Sequence, residues 1–222
     1  MQMNRYRFLN FIILADVTIG LICIPTAGKL VDVFGTPLSV TIFYFPLVYV
    51  FSAVTTEVYG YAVARRLLWY TIAAQVVATI VFQFVIAVPP SAILRNNQSY
   101  VDVLSAAPRL VLFGNLAIFL GDTVNNLVVA KMKVWSRGQY LPIRFVLSTF
   151  CGQLVDTSIF YTLALGNLPV SILTNSILLE VSISVAVSAI CLPVSRAVSS
   201  WLKRAEKLDV FDYAADFNPL RF

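Results

Sequence analysis

Six apolar runs of roughly 18 to 25 residues recur along the chain, at about 8–27, 38–59, 67–88, 109–130, 142–165 and 171–194, and no other feature constrains the fold as much. A run of that length spans the hydrocarbon core of a bilayer as an α-helix. Lipid offers no hydrogen bonds, so a crossing segment must satisfy its own backbone N–H and C=O groups, and a helix does this internally. A barrel would do it between strands, but the alternation of apolar and polar residues that barrel strands need is absent. Only 12% of the residues are charged, against about 25% in a soluble domain, and the mean hydropathy is +0.83. The expectation is an all-α membrane protein: a bundle of six transmembrane helices over 1–200, followed by a polar tail over 201–222. The first run is longer than the apolar part of a signal peptide and a second follows closely, so it is expected to remain as a span.

The basic residues orient such a bundle. Arg5, Arg7, Arg65, Arg66, Lys131, Lys133, Arg137, Arg144, Arg196, Lys203, Arg204, Lys207 and Arg221 fall on one side, and Lys29, Arg95 and Arg109 on the other. Positive residues stay in the cytoplasm, which places both termini there and makes the chain a multi-pass protein of the cell inner (plasma) membrane. Every Lys then lies in a loop or in the tail, and the basic segment between spans 4 and 5 is a topology signal only. The net charge of +5 is sorted by membrane side, so it is no footprint of nucleic-acid binding.

Polar residues inside the spans are where function is expected, because a carboxylate near the bilayer centre costs at least about 2.5 kcal/mol and needs a partner or a purpose. In span 5 the stretch Gly152-Gln153-Leu154-Val155-Asp156-Thr157 puts Gln153 and Asp156 on one helical face, beside Ser148 and Gly152. In span 4, Asn115, Asp122, Asn125 and Asn126 form a single stripe, with Gly114, Ala117 and Gly121 as small residues for close packing. The asparagines suit either a ligand-binding face or hydrogen bonding between helices; Asp122 adds a charge that interhelical bonding does not need. Glu57, near the end of span 2, is a candidate third wall of a binding site, or a partner of Arg65 or Arg66. Asp16 and Glu180, in spans 1 and 6, are candidates for proton coupling, for ion pairs or for helix ends at the interface.

Several chemistries are missing. There are no histidines, and Cys23, Cys151 and Cys191 each fall inside a span as small packing residues, so neither a metal site nor a cofactor is expected. No phosphate-cradling glycine loop, no G-x-S-x-G turn and no metalloprotease spacing occurs. No serine stands beside an in-span Lys that could activate it. The chain is not expected to be an enzyme.

Three segments together resemble the queuosine precursor transporter family, also called vitamin uptake transporters. They are Phe45-Pro46-Leu47 through Glu57-Val58-Tyr59-Gly60 to Ala64-Arg65-Arg66; Pro108-Arg109 through Gly121 with Gly152 to Thr157; and the tail residues Ala205 to Tyr213 with Phe217-Asn218-Pro219. The resemblance covers essentially the whole chain. It implies import of a 7-deazaguanine base such as preQ0, preQ1 or queuine, a precursor of a modified tRNA nucleoside. A carboxylate would accept from adjacent N–H donors of the base, and Gln or Asn amides would donate to its carbonyl. Asp156, Gln153, Asp122, Asn125, Asn126, Glu57 and Asn115 are the expected substrate-binding residues. Two positions depart from the family pattern: Ala53 stands where an acid is usual, and Asn125 follows Gly121-Asp122 where Gly-Gln-x-x-Asp is usual. The alternative is a substrate-binding membrane subunit for another small heterocycle or vitamin that works with a separate energy-coupling complex. The oligomeric state stays open, since small-residue notches serve a homo-oligomer as well as packing within one chain.

Overall fold

The computed structural model describes residues 6–91, 96–166, 169–213 and 215–220; Arg5, Arg95 and Arg221 of the orientation argument lie outside them. The apolar runs are helical except at the start of the second. The helices are α1 (Leu9–Thr26), α2 (Pro46–Tyr59), α3 (Tyr61–Ala87), α4 (Asn97–Leu104), α5 (Ala107–Trp135), α6 (Leu141–Ala164) and α7 (Val170–Glu206). Four segments, Leu9–Thr26, Tyr61–Ala87, Asn97–Trp135 and Val170–Glu206, are long and apolar enough to cross a membrane. α6 has 24 residues but carries Arg144, Gln153 and Asp156, which make it more polar. The start of α1 and the end of α7 meet at one pole of the bundle, where the Phe8 amide donates to Glu206 at 2.8 Å. We call this the terminal pole.

The surface is apolar and the interior polar, the reverse of a soluble domain. Phe11, Leu14, Ile80, Phe84, Ile190 and Val194 project outward, whereas Asp16, Glu57, Asp122, Asn125, Gln153 and Asp156 are buried. Trp135, Tyr140 and Trp201 are exposed near the terminal pole, where rings with a polar edge suit a membrane–water interface.

The second run is not one long helix. Its first residues complete a two-stranded antiparallel hairpin, β1 (Leu30–Val33) with β2 (Thr36–Ser39), in the register Leu30↔Ser39 and Val33↔Thr36. A 3₁₀ turn (Val40–Phe43) leads into α2, which has 14 residues and is about 21 Å long, short of a bilayer core of about 30 Å. The β-branched Val31, Val33 and Thr36 favour extended backbone, and Gly35 takes the positive φ of the turn. Protein groups satisfy this irregular backbone: the Ser39 amide donates to the Tyr161 hydroxyl at 3.0 Å, and the Ser39 hydroxyl donates to the Ala27 carbonyl at 2.9 Å.

The far end differs too. α7 runs on through Pro193 to Glu206, so the expected tail begins as helix. The chain then folds back over the terminal pole. α2 and α3 break at Gly60, whose φ is +87° and where a Cβ would meet Val210 Cγ1 at 2.7 Å. The Tyr61 amide, an unpaired donor at the start of α3, donates to Asp212 Oδ2 at 3.0 Å. Further along, Arg65 donates to the Asp216 carbonyl at 3.0 Å and Trp69 to the Pro219 carbonyl at 3.1 Å. The tail is thus a strap across the α2–α3 corner. Gly60→Ala combines a strained φ with displacement of Val210, and is expected to cost about 1–3 kcal/mol. Gly35→Ala, with open space around it, carries the backbone cost alone. Thermal unfolding of both variants checks this: Gly60→Ala should show the lower midpoint.

Candidate functional site

The buried polar residues fall into two groups, one with partners and one without. The first group is at the terminal pole. Glu57 is fully buried and accepts from Arg144 at 2.6 and 3.3 Å and from Lys203 at 2.6 Å. Lys133 donates to the Glu57 carbonyl at 2.6 Å, to Asp209 at 2.5 Å and to the Val210 carbonyl at 2.6 Å. Arg144 completes its donor set on the carbonyls of Gln139 and Gly138. Burial opposes charge on Asp209, but hydrogen bonds from Lys133 and Lys203 outweigh it and hold that carboxyl below its ordinary range. Its share of the strap's docking is therefore present across neutral pH and is lost only as pH falls below about 4.

This cluster corrects three sequence expectations. Lys133 lies within α5 and Lys203 within α7, not in loops, and the basic segment after span 4 does more than set topology. The partners of Glu57 are Arg144 and Lys203, not Arg65 or Arg66. Arg65 instead holds the tail.

The second group lies deeper, where α5 and α6 cross. Each helix presents a glycine to the other: a Cβ on Gly121 would meet the Gly152 carbonyl oxygen at 2.8 Å, and a Cβ on Gly152 would meet the Gly121 carbonyl oxygen at 2.8 Å. The Tyr49 ring from α2 closes the third side, 2.8 Å from that second Cβ position. Backbones this close bring the polar residues one turn away face to face. Asn126 bridges α2 and α5, donating to Asp122 at 2.8 Å and accepting from Ser52 at 2.9 Å and Thr56 at 2.6 Å. Thr157 donates to Gln153 Oε1 at 3.2 Å. Among the described residues, the Gln153 amide nitrogen, both ends of the Asn125 amide, the Tyr49 hydroxyl and Asn115 Oδ1 find no partner. Native interiors leave few buried polar atoms unpaired, and a concentration of them points to something that binds there.

Beside this crossing a cavity of about 70 Å³ opens away from the terminal pole. Asp156, Thr157, Gln75 and Glu180 give it polar walls and Phe45 and Phe160 apolar ones, and among the described residues no Lys or Arg lines it. Glu180 accepts from the Tyr161 hydroxyl at 2.5 Å, which ties α7 to the end of β2 through the Ser39 amide. The structure thus brings Asp156 to the cavity, with Gln153 on the same helical face. Asp122, Asn125 and Asn126 sit in the adjoining polar cluster, and Asn115 lies next to the cavity-lining Gly114. Glu57 is apart from them, in the ion cluster. Sequence reasoning missed Gln75 and Tyr49; an amide in the middle of an apolar run marked the first, while a tyrosine among many carried no such mark. Ala53, one of the two departures from the family pattern, packs among Leu9, Val54, Val58, Phe145 and Leu202.

Glu57→Gln leaves Arg144 buried without an acid, and is expected to cost about 3–5 kcal/mol. The loss should appear in folded yield and unfolding midpoint, with substrate affinity unchanged in whatever folds; a selective loss of affinity would place Glu57 in the binding site instead.

A family model described as "Putative vitamin uptake transporter" matches residues 39–198. A protein of Bacillus subtilis (strain 168) described as "Probable queuosine precursor transporter" is 26% identical over 181 residues, which cover 81% of this chain and 79% of that protein. No solved structure matches the chain.

Proposed function

The chain belongs to the vitamin uptake transporter family, and from that membership we propose that it imports a queuosine precursor, a 7-deazaguanine base, across the cell inner membrane. The observation that carries the reading is the set of unpartnered buried donors and acceptors around Asp156. In this proposal α1, α3, α5, α6 and α7 each span the bilayer, the 3₁₀ turn and α2 together make the sixth crossing, and both termini lie in the cytoplasm, consistent with the basic residues gathered at the terminal pole. Asp156 accepts from the adjacent N–H groups of the base, the free Gln153 amide donates to its carbonyl, and the Asn125 side-chain nitrogen and Asn115 Oδ1 serve its remaining polar edge. Phe45 and Phe160 flank the ring.

The two poles support alternating access. One is sealed by the Glu57 cluster and the strap, and the other holds the cavity behind the β1–β2 hairpin. A cavity of about 70 Å³ holds a few waters and is well below the 300 Å³ or more of common ligand clefts. The described conformation is therefore a closed form of the site, and the base is received when helices around the α5–α6 crossing separate. Transport then moves the same site between the two poles.

The test uses cells that cannot make queuosine and lack their own importer, supplied with labelled base and scored by queuosine in tRNA. Wild type is expected to restore the modification, and Asp156→Asn to reduce uptake at least about tenfold at normal membrane abundance, the loss of a charge-assisted contact. Unchanged uptake by the variant would remove Asp156 from the site. Uptake by the purified chain in liposomes excludes the reading in which a separate energy-coupling complex is required.

A further inference from the structure

Asp16 in α1 and Asp122 in α5 do not line the cavity, and Asp16 has no role in the base contacts above. Both are 3% exposed. Asp16 Oδ2 accepts from the Thr71 hydroxyl at 2.8 Å, and Asp122 Oδ2 from the Asn126 amide at 2.8 Å. In each carboxylate the other oxygen, Oδ1, is buried without a partner among the described residues. Ile19 of α1 and Ile118 of α5, one turn from Asp16 and Asp122 respectively, pack in one cluster, so the two carboxylates lie at the same level of the bundle. Asn125 of α5 is fully buried, and its side-chain oxygen is a third one without a partner among the described residues.

Among the described residues, the elements around the pair supply no counter-charge. α3 offers Thr71 and Gln75, and α2 offers Ser52 and Thr56, all neutral. The other titratable groups whose charges reach the pair are Cys23 of α1, Tyr49 of α2, Tyr61 of α3 and Asp156 of α6, and none of these is a cation. The buried cations are engaged elsewhere: Lys133 and Arg144 around Glu57, Arg65 on the tail. Two anions buried at one level of a bundle without a cation are strongly disfavoured, so this pair needs one.

We propose that Asp16 and Asp122, with the Asn125 carbonyl oxygen, bind a monovalent cation, a proton or an alkali metal ion, and that its occupancy is coupled to transport. The coupling rests on the transport reading above; the site itself does not. The link between them is α3. Thr71 holds Asp16, while Gln75, one turn on, lines the cavity and donates to the Gly20 carbonyl at 2.9 Å. α1 and α3 touch tightly there, since a Cβ on Gly20 would meet Thr71 Cγ2 at 2.7 Å. A cation that draws Asp16 toward Asp122 thus moves the helix pair that carries a cavity wall, and the substrate must in turn alter cation affinity by the same factor.

Thermal unfolding of the purified full-length protein, without base, tests the site alone. It is run in sodium chloride against choline chloride at equal ionic strength, and across a pH series. A sodium ion bound only by the folded chain raises the midpoint as sodium rises; a bound proton makes the midpoint fall as pH rises. Wild type is expected to show one of these dependences, over about 5 °C, and Asp16→Asn to flatten it. Asp122→Asn is the second variant should the first fail to fold. No dependence in wild type, or the same dependence in the variants, overturns the site. In liposomes, exchange of labelled for unlabelled base without a gradient reports the carrier reading, and an inward sodium or proton gradient reports coupling. Wild type should take up base at least about fivefold faster under one gradient, and Asp16→Asn should keep exchange but lose that gain. Exchange without stimulation overturns the coupling. Absence of exchange by folded wild type overturns the carrier reading, and the unfolding data then decide the cation site by themselves.

Discussion

Glu57 is the interaction on which the terminal pole is assembled. A carboxylate with no exposed surface is tolerable in an apolar bundle only when cations and donors surround it, and here they come from α6, α7 and, through its backbone carbonyl, α5. Those same cations fix the strap: Lys133 and Lys203 both reach Asp209, and Lys133 also reaches the Val210 carbonyl. One buried charge therefore joins α2, α5, α6, α7 and the chain after α7. Asp212 adds the start of α3 by accepting from the Tyr61 amide.

The contrast with the middle of the bundle is physical. Around Glu57 the polar groups are saturated, a condition that rigidifies. Around Asp156, Asn125 and Gln153 they are not, which is costly unless another molecule completes them. A protein built only to stand in a membrane gains nothing from leaving an amide with both ends free at full burial. A carrier does, because its site must be incomplete when empty. The reciprocal glycines at the α5–α6 crossing leave no side chain between the backbones, so Asp122 and Asp156 project from a narrow contact.

The hairpin and the strap stand at opposite ends of this arrangement. The hairpin reaches α7 through the Ser176 hydroxyl, which donates to the Pro37 carbonyl at 2.8 Å, and reaches α6 through Tyr161. Neither element is a membrane-crossing helix, yet each ties helices that must move relative to one another if the site is to face both sides.

The apolar runs determined by themselves that the chain is a helical membrane protein, because run length and the need to satisfy backbone in lipid leave few alternatives. They located five of the six long elements to within a few residues at most ends. Helical spacing also put Gln153 with Asp156, and Asp122 with Asn125 and Asn126, since such neighbours are one turn apart on a single helix. The hairpin within 30–39 was not legible, because a short run of β-branched residues looks the same inside a buried helix. The partners of Glu57 were not legible either: Arg144 and Lys203 lie 87 and 146 residues away along the chain, and only folding brings them within hydrogen-bond distance. Tertiary structure alone decided which intramembrane acids are neutralised by the protein and which have no cation beside them among the described residues. That distinction depends on distance and burial between helices, quantities that local sequence does not encode.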